Sequence, residues 1–256
     1  MKNILLSAVL VVPALSGAAF AQESRPLPVE LADPAPAAAS RFPEVGFSVL
    51  QEEIAPELHF GLSLSLRIDV PGGGSVDSDD NVAYSDIFDV GLGLALEANL
   101  MSRLSPKWYL GGYVSIGWDQ FIGASDVDMG TGEFFSFDNQ NVITAILGAK
   151  VLHHFAPAWF WEGRMGIGLV HYDQLTFSDT TNVFAPIDGL QFFKPATHGL
   201  FDLAGRVGVG GSHVTFDVGI DFRFMGGEAR GRDVTNVVDP QMFFVFTFDL
   251  GLSVRF

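Results

Sequence analysis

The chain has 256 residues, with 14 basic against 30 acidic side chains, a formal net charge of −16 and no cysteine. That balance disfavours nucleic acid as a partner, and the missing thiol excludes disulfides and a lipid-modified cysteine. Glycine (29) and phenylalanine (24) are abundant, yet beyond the N-terminus no apolar run reaches the roughly 20 residues a spanning helix requires.

Residues 1–21 begin with Lys2, run apolar from Ile4 through Val12 and finish with Ala19, Phe20 and Ala21, the small-x-small pattern of a signal-peptidase site. Cleavage there removes Lys2 and leaves 13 basic side chains against 30 acidic ones. Residues 22–56 hold Pro26, Pro28, Pro34, Pro36, Pro43 and Pro56 among small and acidic residues. Helical and strand periodicity are both missing over most of that stretch, which reads as a periplasmic tail. Within it Gly46 to Leu50 is either a brief strand or part of a disordered linker.

From residue 57 to residue 256 the pattern has period two. In the first segment Leu58, Phe60, Leu62, Leu64, Leu66, Ile68 and Val70 alternate with Glu57, His59, Gly61, Ser63, Ser65, Arg67 and Asp69. The second sets Phe88, Val90, Leu92, Leu94, Leu96, Ala98 and Leu100 against Asp89, Glu97 and Asn99; the third sets Trp108, Leu110, Val114, Ile116 and Trp118 against Tyr109, Tyr113, Ser115 and Asp119. A less regular fourth opposes Ile143, Ala145, Leu147, Ala149 and Val151 to Thr144 and Lys150, with Ile146 on the polar side. The fifth carries Trp159, Trp161, Met165, Ile167 and Leu169 opposite Glu162 and Arg164, and the sixth Phe201, Leu203, Val207 and Val209 opposite Asp202 and Arg206. The seventh sets Val214, Phe216, Val218, Ile220, Phe222 and Phe224 against Thr215, Asp217, Asp221 and Arg223. In the eighth, every even position from Met242 to Phe256 is apolar, with Asp249, Gly251, Ser253 and Arg255 between. Each pattern predicts a strand with one greasy and one polar face.

Alternation alone fits a soluble sandwich equally well. The connections decide: about 15 residues after the first segment, a few after the second, about 18, a few, some 25, two or three, then about 16. Long loops on one rim and tight turns on the other predict an up-and-down transmembrane barrel of eight antiparallel strands, with periplasmic turns and both termini on that side. Aromatics sort the same way. Trp108, Trp159, Trp161, Phe60 and Phe256 fall at the short-turn end, and Phe88, Trp118, Phe222, Phe224, Phe244 and Phe246 at the long-loop end, as expected of two interfacial girdles.

Asp249, Gly251, Val254 and Phe256 resemble the C-terminal insertion signal of bacterial outer-membrane barrels. The chain after residue 56 resembles the small eight-stranded family that includes the transmembrane domain of outer-membrane protein A and its X- and W-type relatives. That resemblance implies a monomer in the outer membrane, delivered by the barrel-assembly machinery, surrounded by lipids and lipopolysaccharide, and without cofactor.

An eight-stranded lumen is just wide enough to be filled by side chains. Here the expected filling is Arg67, Lys150, Arg164, Arg206, Arg223 and Arg255 with Asp89, Glu97, Asp119, Glu162, Asp202, Asp217, Asp221 and Asp249. Counting from the tight turns places Lys150 across from Glu162 and Arg206 across from Asp217. Such charges predict a salt-bridged plug rather than acid–base chemistry or a metal site. Of the histidines, His59, His153, His154 and His213 fall at the periplasmic end; His171 and His198 flank the longest loop without a serine motif, so a catalytic set is not expected. Acidic loop residues (Asp77, Asp79, Asp80 and Asp86; Asp126, Asp128, Glu133 and Asp138) are solvated tips or a place where divalent cations bridge to lipopolysaccharide phosphates. Phe184, Ile187, Leu190, Phe192 and Phe193 are either a lid over the mouth or a binding surface. The expected role is structural, in envelope integrity or surface interaction. The alternatives are a narrow channel or binding barrel for small solutes, hydrophobic ones included, and then a lipid-modifying enzyme.

Overall fold

The computed structural model describes residues 57–74, 82–128, 134–181, 189–211, 213–227, 229–230 and 243–256. The expected signal segment, the proline-rich tail and the Gly46 to Leu50 stretch lie outside them. In chain order the elements are β1 (Leu58–Gly72), α1 (Tyr84–Ile87), β2 (Phe88–Arg103), β3 (Trp108–Gly123), β4 (Val127–Asp128), β5 (Phe134–Phe137), β6 (Gln140–Ala156), β7 (Trp159–Tyr172), β8 (Leu175–Thr181), β9 (Gln191–Lys194), β10 (Ala196–Gly210), β11 (Val214–Met225), β12 (Ala229–Arg230) and β13 (Phe243–Arg255).

Eight of these strands close a barrel in the order β1-β13-β11-β10-β7-β6-β3-β2, every pair antiparallel. Chain neighbours pair with each other, and β13 returns to β1 along a ladder running from Gly61↔Arg255 to Gly72↔Phe244. Closure leaves no unpaired edge in the wall, the condition for a sheet to sit in hydrocarbon. Its outer face is apolar and bare: Leu147 is 62% exposed, Ile116 65% and Ile167 68%. In water so continuous a belt would drive aggregation, whereas lipid is its natural solvent. The fold is therefore a transmembrane β-barrel, crossing with strands; among the described residues no helix is long and apolar enough to span.

Aromatic side chains border the belt. At the short-turn end Trp108 meets Trp161 edge-on at 5.7 Å and Phe60 stacks on Phe256 at 6.0 Å. Toward the long loops Phe222 meets Phe246 at 4.9 Å and Phe201 meets Phe224 at 6.1 Å. Phe88, assigned to that girdle from sequence, is instead buried inside, and Asp89, expected in the lumen, is exposed. The cause is a register shift between Phe88 and Gly91 against β3. An added residue at a bulge inverts the alternation for the positions before it.

The loops are not the bare tips their composition suggests. Segments of three long connections form a second sheet in the order β12-β9-β8-β5-β4. Together with α1 and the inward-facing residues at the strand ends they bury one apolar cluster, which includes Tyr84, Phe121, Phe177, Phe192, Phe193 and Phe243. Tyr84 lies flat on Phe243 at 3.8 Å and parallel to Phe193 at 6.4 Å. The helical turn that presents it is held by the Asp86 carboxylate, which accepts the Ala83 N–H at 2.8 Å. Ile146, the residue on the polar side of its strand, faces inward into the same cluster.

Candidate functional site

Between this aromatic cluster and a smaller one at the short-turn end (Met101, Leu152 and Phe160), the lumen is filled with charge. Parity puts the side chains there: the bases and acids take inward positions on strands whose outward positions are mostly apolar. Lys150, Arg164, Arg206, Arg223 and Arg67 are all buried, as are Asp69, Glu97, Asp119, Glu162, Asp202, Asp217, Asp221 and Asp249.

Nearest the short turns, Lys150 contacts Glu97 and lies 3.1 Å from Glu162, while the Asn99 amide donates to Glu97 at 3.2 Å. Beside these residues is a cavity of about 20 Å³ bordered by Ser63, Lys150, Glu162 and Arg255, about the room one water takes. Arg164 donates to Glu97 at 2.9 Å, contacts Asp221 and approaches Asp202 to 3.6 Å. The Tyr113 hydroxyl donates to Asp202 at 3.1 Å, and the Arg164 guanidinium lies over the Tyr113 ring. Arg206 lies 3.4 Å from Asp217 and 3.1 Å from Asp249, with the Ser65 hydroxyl at 3.4 Å.

Nearer the long loops, Arg223 contacts Asp69, donates to Asp119 at 2.8 Å and donates to the Thr247 hydroxyl at 3.1 Å. In an eight-membered ring β11 and β3 are four places apart, so the bond from Arg223 to Asp119 crosses the lumen between opposite walls. Arg67 sits 3.7 Å from the same carboxylate. Room for it comes from an absent side chain: a Cβ on Gly117 would collide with the Arg67 guanidinium and the Thr144 hydroxyl.

Apart from Asp89, which is exposed, and Arg255, which is half-buried over the Phe160 ring, the lumen residues inferred from sequence are thus brought together, but two ladder positions need correction. Lys150 faces Arg164 across the ladder and Arg206 faces Gly219 and Glu162. Both counts from the turns were short by two residues. One hairpin carries a shift between His154 and Ala156, and in the other Gly210 pairs with Thr215 across a longer turn. Lys150 and Arg206 still reach Glu162 and Asp217 because their long stems lean along the barrel. Asp69, Ser65, Tyr113 and Thr247 are lumen partners that the sequence reading did not single out. Their signal was parity alone.

The remaining candidates are scattered. Asp249 and Gly251 face the lumen, with Gly251 packed against Asp217; Val254 pairs with Leu62 and Val214, and Phe256 is exposed at the short-turn rim. Of the proposed loop surface, Phe184 and Ile187 lie outside the described residues and Leu190 is exposed. Phe192 and Phe193 are buried in the aromatic cluster and offer no surface. Asp77, Asp79, Asp80 and Glu133 also fall outside the described residues, and among those that are described no three His, Cys, Asp or Glu side chains are placed to hold a metal ion. His171 pairs with Thr197 on the outer face, bonded to its hydroxyl at 2.9 Å, whereas His198 is the next residue and points to the opposite side. At the short-turn rim the hydrogen bond from Arg103 at 2.8 Å holds the exposed Glu57 carboxyl below the usual carboxylate range.

No protein-family model matches the sequence, and no curated protein is similar to it in sequence. Among solved structures, the chain is similar to the attachment invasion locus protein Ail of Yersinia pestis, solved with the heparin analogue sucrose octasulfate. Identity there is 11% over 78% of this chain and 99% of that one, with a TM-score of 0.43. The outer-membrane protease OmpT of Escherichia coli gives 7% identity over 78% and 96%, TM-score 0.42. The outer-membrane protein OprG of Pseudomonas aeruginosa gives 10% over 77% and 95%, TM-score 0.40. Strand closure and the exposed apolar belt carry the fold assignment by themselves.

Proposed function

We propose that this protein is an integral outer-membrane barrel whose lumen is closed, and that it serves envelope integrity or contacts at the cell surface rather than catalysis or solute passage. In this reading the protein is a monomer, its N-terminal tail lies in the periplasm, and its neighbours are lipids and lipopolysaccharide. The observation that carries the reading is the Arg223 guanidinium, bonded at once to Asp69 on β1 and Asp119 on the opposite strand β3. An ion moving along the axis would have to part those groups, and each would be left in a poorly hydrated space without a partner. The aromatic cluster above adds a second barrier, since its largely apolar side chains replace little of an ion's hydration. A conduit for hydrophobic solutes fits poorly with a charged lumen, and the separation of His171 from His198 gives a hydrolytic reading no catalytic pair.

Purified, refolded protein in planar bilayers tests this directly. The expected record shows no discrete current steps beyond the protein-free membrane. A stable, voltage-independent unit conductance from correctly folded protein would overturn the closed-barrel reading.

A further inference from the structure

Along β6, β7 and β10 the lipid-facing positions continue beyond the apolar belt. Ile143, His171 and Thr197 lie side by side in the ladder, and the next positions of the same parity are Asn141 in β6 and, just beyond the strand ends, Asp173 after β7 and Pro195 before β10. The Asp173 N–H donates to the Asn141 carbonyl at 3.0 Å, carrying the wall one step further. These three positions, with Asp138, Asn139, Gln174 and Thr176, line an open crevice of about 700 Å³, a volume within the range of small-ligand clefts. Thr176 donates its hydroxyl to Asp138, and the Asn139 side-chain oxygen accepts the Gly123 N–H at 3.2 Å, so this part of the lining is held in place by its own bonds.

The lining presents two carboxylates, three amides and one hydroxyl, and no Lys or Arg; His171 lies at its lower rim, 4.0 Å from the Asp173 carboxylate. Carboxylates accept hydrogen bonds and repel anions, and amides both donate and accept. Such a set matches the hydroxyl groups of a sugar better than a bare phosphate, which the two carboxylates repel. Directly below lie Ile143, His171 and Thr197, with the His171 ring 4.0 Å from the Asp173 carboxylate, and one outward position further down Leu169 joins the exposed apolar belt. An amphiphile whose chain lies along them has its headgroup at the level of the crevice. We propose that the crevice holds the sugar headgroup of a glycolipid, lipopolysaccharide in an outer membrane, through its hydroxyls. The proposal rests on the outer-membrane reading and names the lipid that one side of the barrel selects.

The test compares the wild type with Asn141→Ala/Asp173→Ala and with Asp173→Asn in phosphatidylethanolamine–phosphatidylglycerol nanodiscs, with and without rough-type lipopolysaccharide. The readout is the lipid retained per barrel after detergent extraction. Losing two hydrogen-bonding groups is expected to lower lipopolysaccharide retention roughly tenfold. Asp173→Asn, which keeps an acceptor oxygen, is expected to retain most of it, and EDTA is expected to change little. Equal retention by the double variant overturns the site. So does release by EDTA together with loss in Asp173→Asn, which marks a cation bridge to phosphate, and so does equal retention of phosphatidylglycerol. Heat-modifiable gel mobility scores insertion separately. A wild-type barrel that inserts but retains no lipopolysaccharide in preference to phosphatidylglycerol therefore counts against the crevice, while failed insertion of the wild type counts against the membrane reading.

Discussion

Replacing Arg223 with methionine keeps much of the buried stem and removes the guanidinium that ties β11 to β1, β3 and β13. At 2.8 Å an ion pair is worth roughly 6 kcal/mol at an effective dielectric of about 20, and desolvation of the two ions cancels most of that gain. Deleting one partner is different from never having had the pair, because Asp69 and Asp119 are both wholly buried and stay behind. Only Arg67, 3.7 Å from Asp119, remains nearby to balance them. The expected loss for Arg223→Met is therefore about 3–5 kcal/mol. Adding Asp69→Asn removes the surplus carboxylate while keeping an amide beside Thr247, and leaves Arg67 with Asp119 as a neutral pair. The double variant should recover part of the loss, with a coupling of about 1–3 kcal/mol. Urea unfolding in phospholipid vesicles, approached from the folded and the unfolded side, measures this, and the four tryptophans of the outer wall report on it. The midpoint of Arg223→Met should fall by roughly 1–3 M. A shift equivalent to less than about 0.5 kcal/mol, the size of an ordinary surface substitution, would refute the argument, as would strictly additive effects in the pair.

Two further outcomes follow from the ends of the barrel. Phe256→Asp should sharply reduce insertion in cells although the wall is otherwise intact, because Phe256 closes the motif that resembles an insertion signal and stacks on Phe60 where β13 meets β1; wild-type yield with normal heat-modifiable mobility would remove that motif from consideration. A protease site inserted at Gly73 or Gly130 should be cut on intact cells and one at Gly211 protected, and the opposite pattern would invert the barrel in its membrane.

The wall was legible because parity is a local rule. Arg67 lies between Leu66 and Ile68, and a strand with both neighbours in lipid must send it inward, whatever the rest of the chain does. Who meets Arg67 is not local. Height in the lumen depends on where each hairpin turns, and an error of two residues was enough to set Lys150 opposite Glu162 instead of Arg164. Arg223 and Asp119 are separated by 104 positions in the chain and by four places around the ring, so no periodicity links them. Asp89 shows how the rule fails even locally: nothing in FDVGLG announces the register shift between Phe88 and Gly91, apart from the glycine itself. The cap was the least legible part. Its strands run from two to seven residues, too short for alternation to rise above chance. The one signal available was paired, since Phe135 and Phe137 alternate in β5 and Leu175 and Phe177 in β8, and these two strands are hydrogen-bonded neighbours.

The cap also explains why so charged a lumen is compatible with a stable barrel. Lipid solvates the outer wall, so an apolar exterior costs nothing and the hydrophobic material of an ordinary core is spent outward. An eight-stranded ring leaves a lumen that side chains fill, and the inward positions carry both signs of charge. Open to water, such pairs would contribute little, because screening and side-chain entropy offset surface ion pairs almost completely. In the closed-barrel reading proposed above, the Tyr84, Phe193 and Phe243 stack covers one end, and Met101, Leu152 and Phe160 narrow the other. Enclosed between them, each guanidinium faces a choice between its carboxylates and nothing. That asymmetry, in which forming a pair gains little and breaking one costs much, fixes the relative heights of strands that never touch, such as β11 and β3, and so lets a ring of eight independent ladders settle in one register.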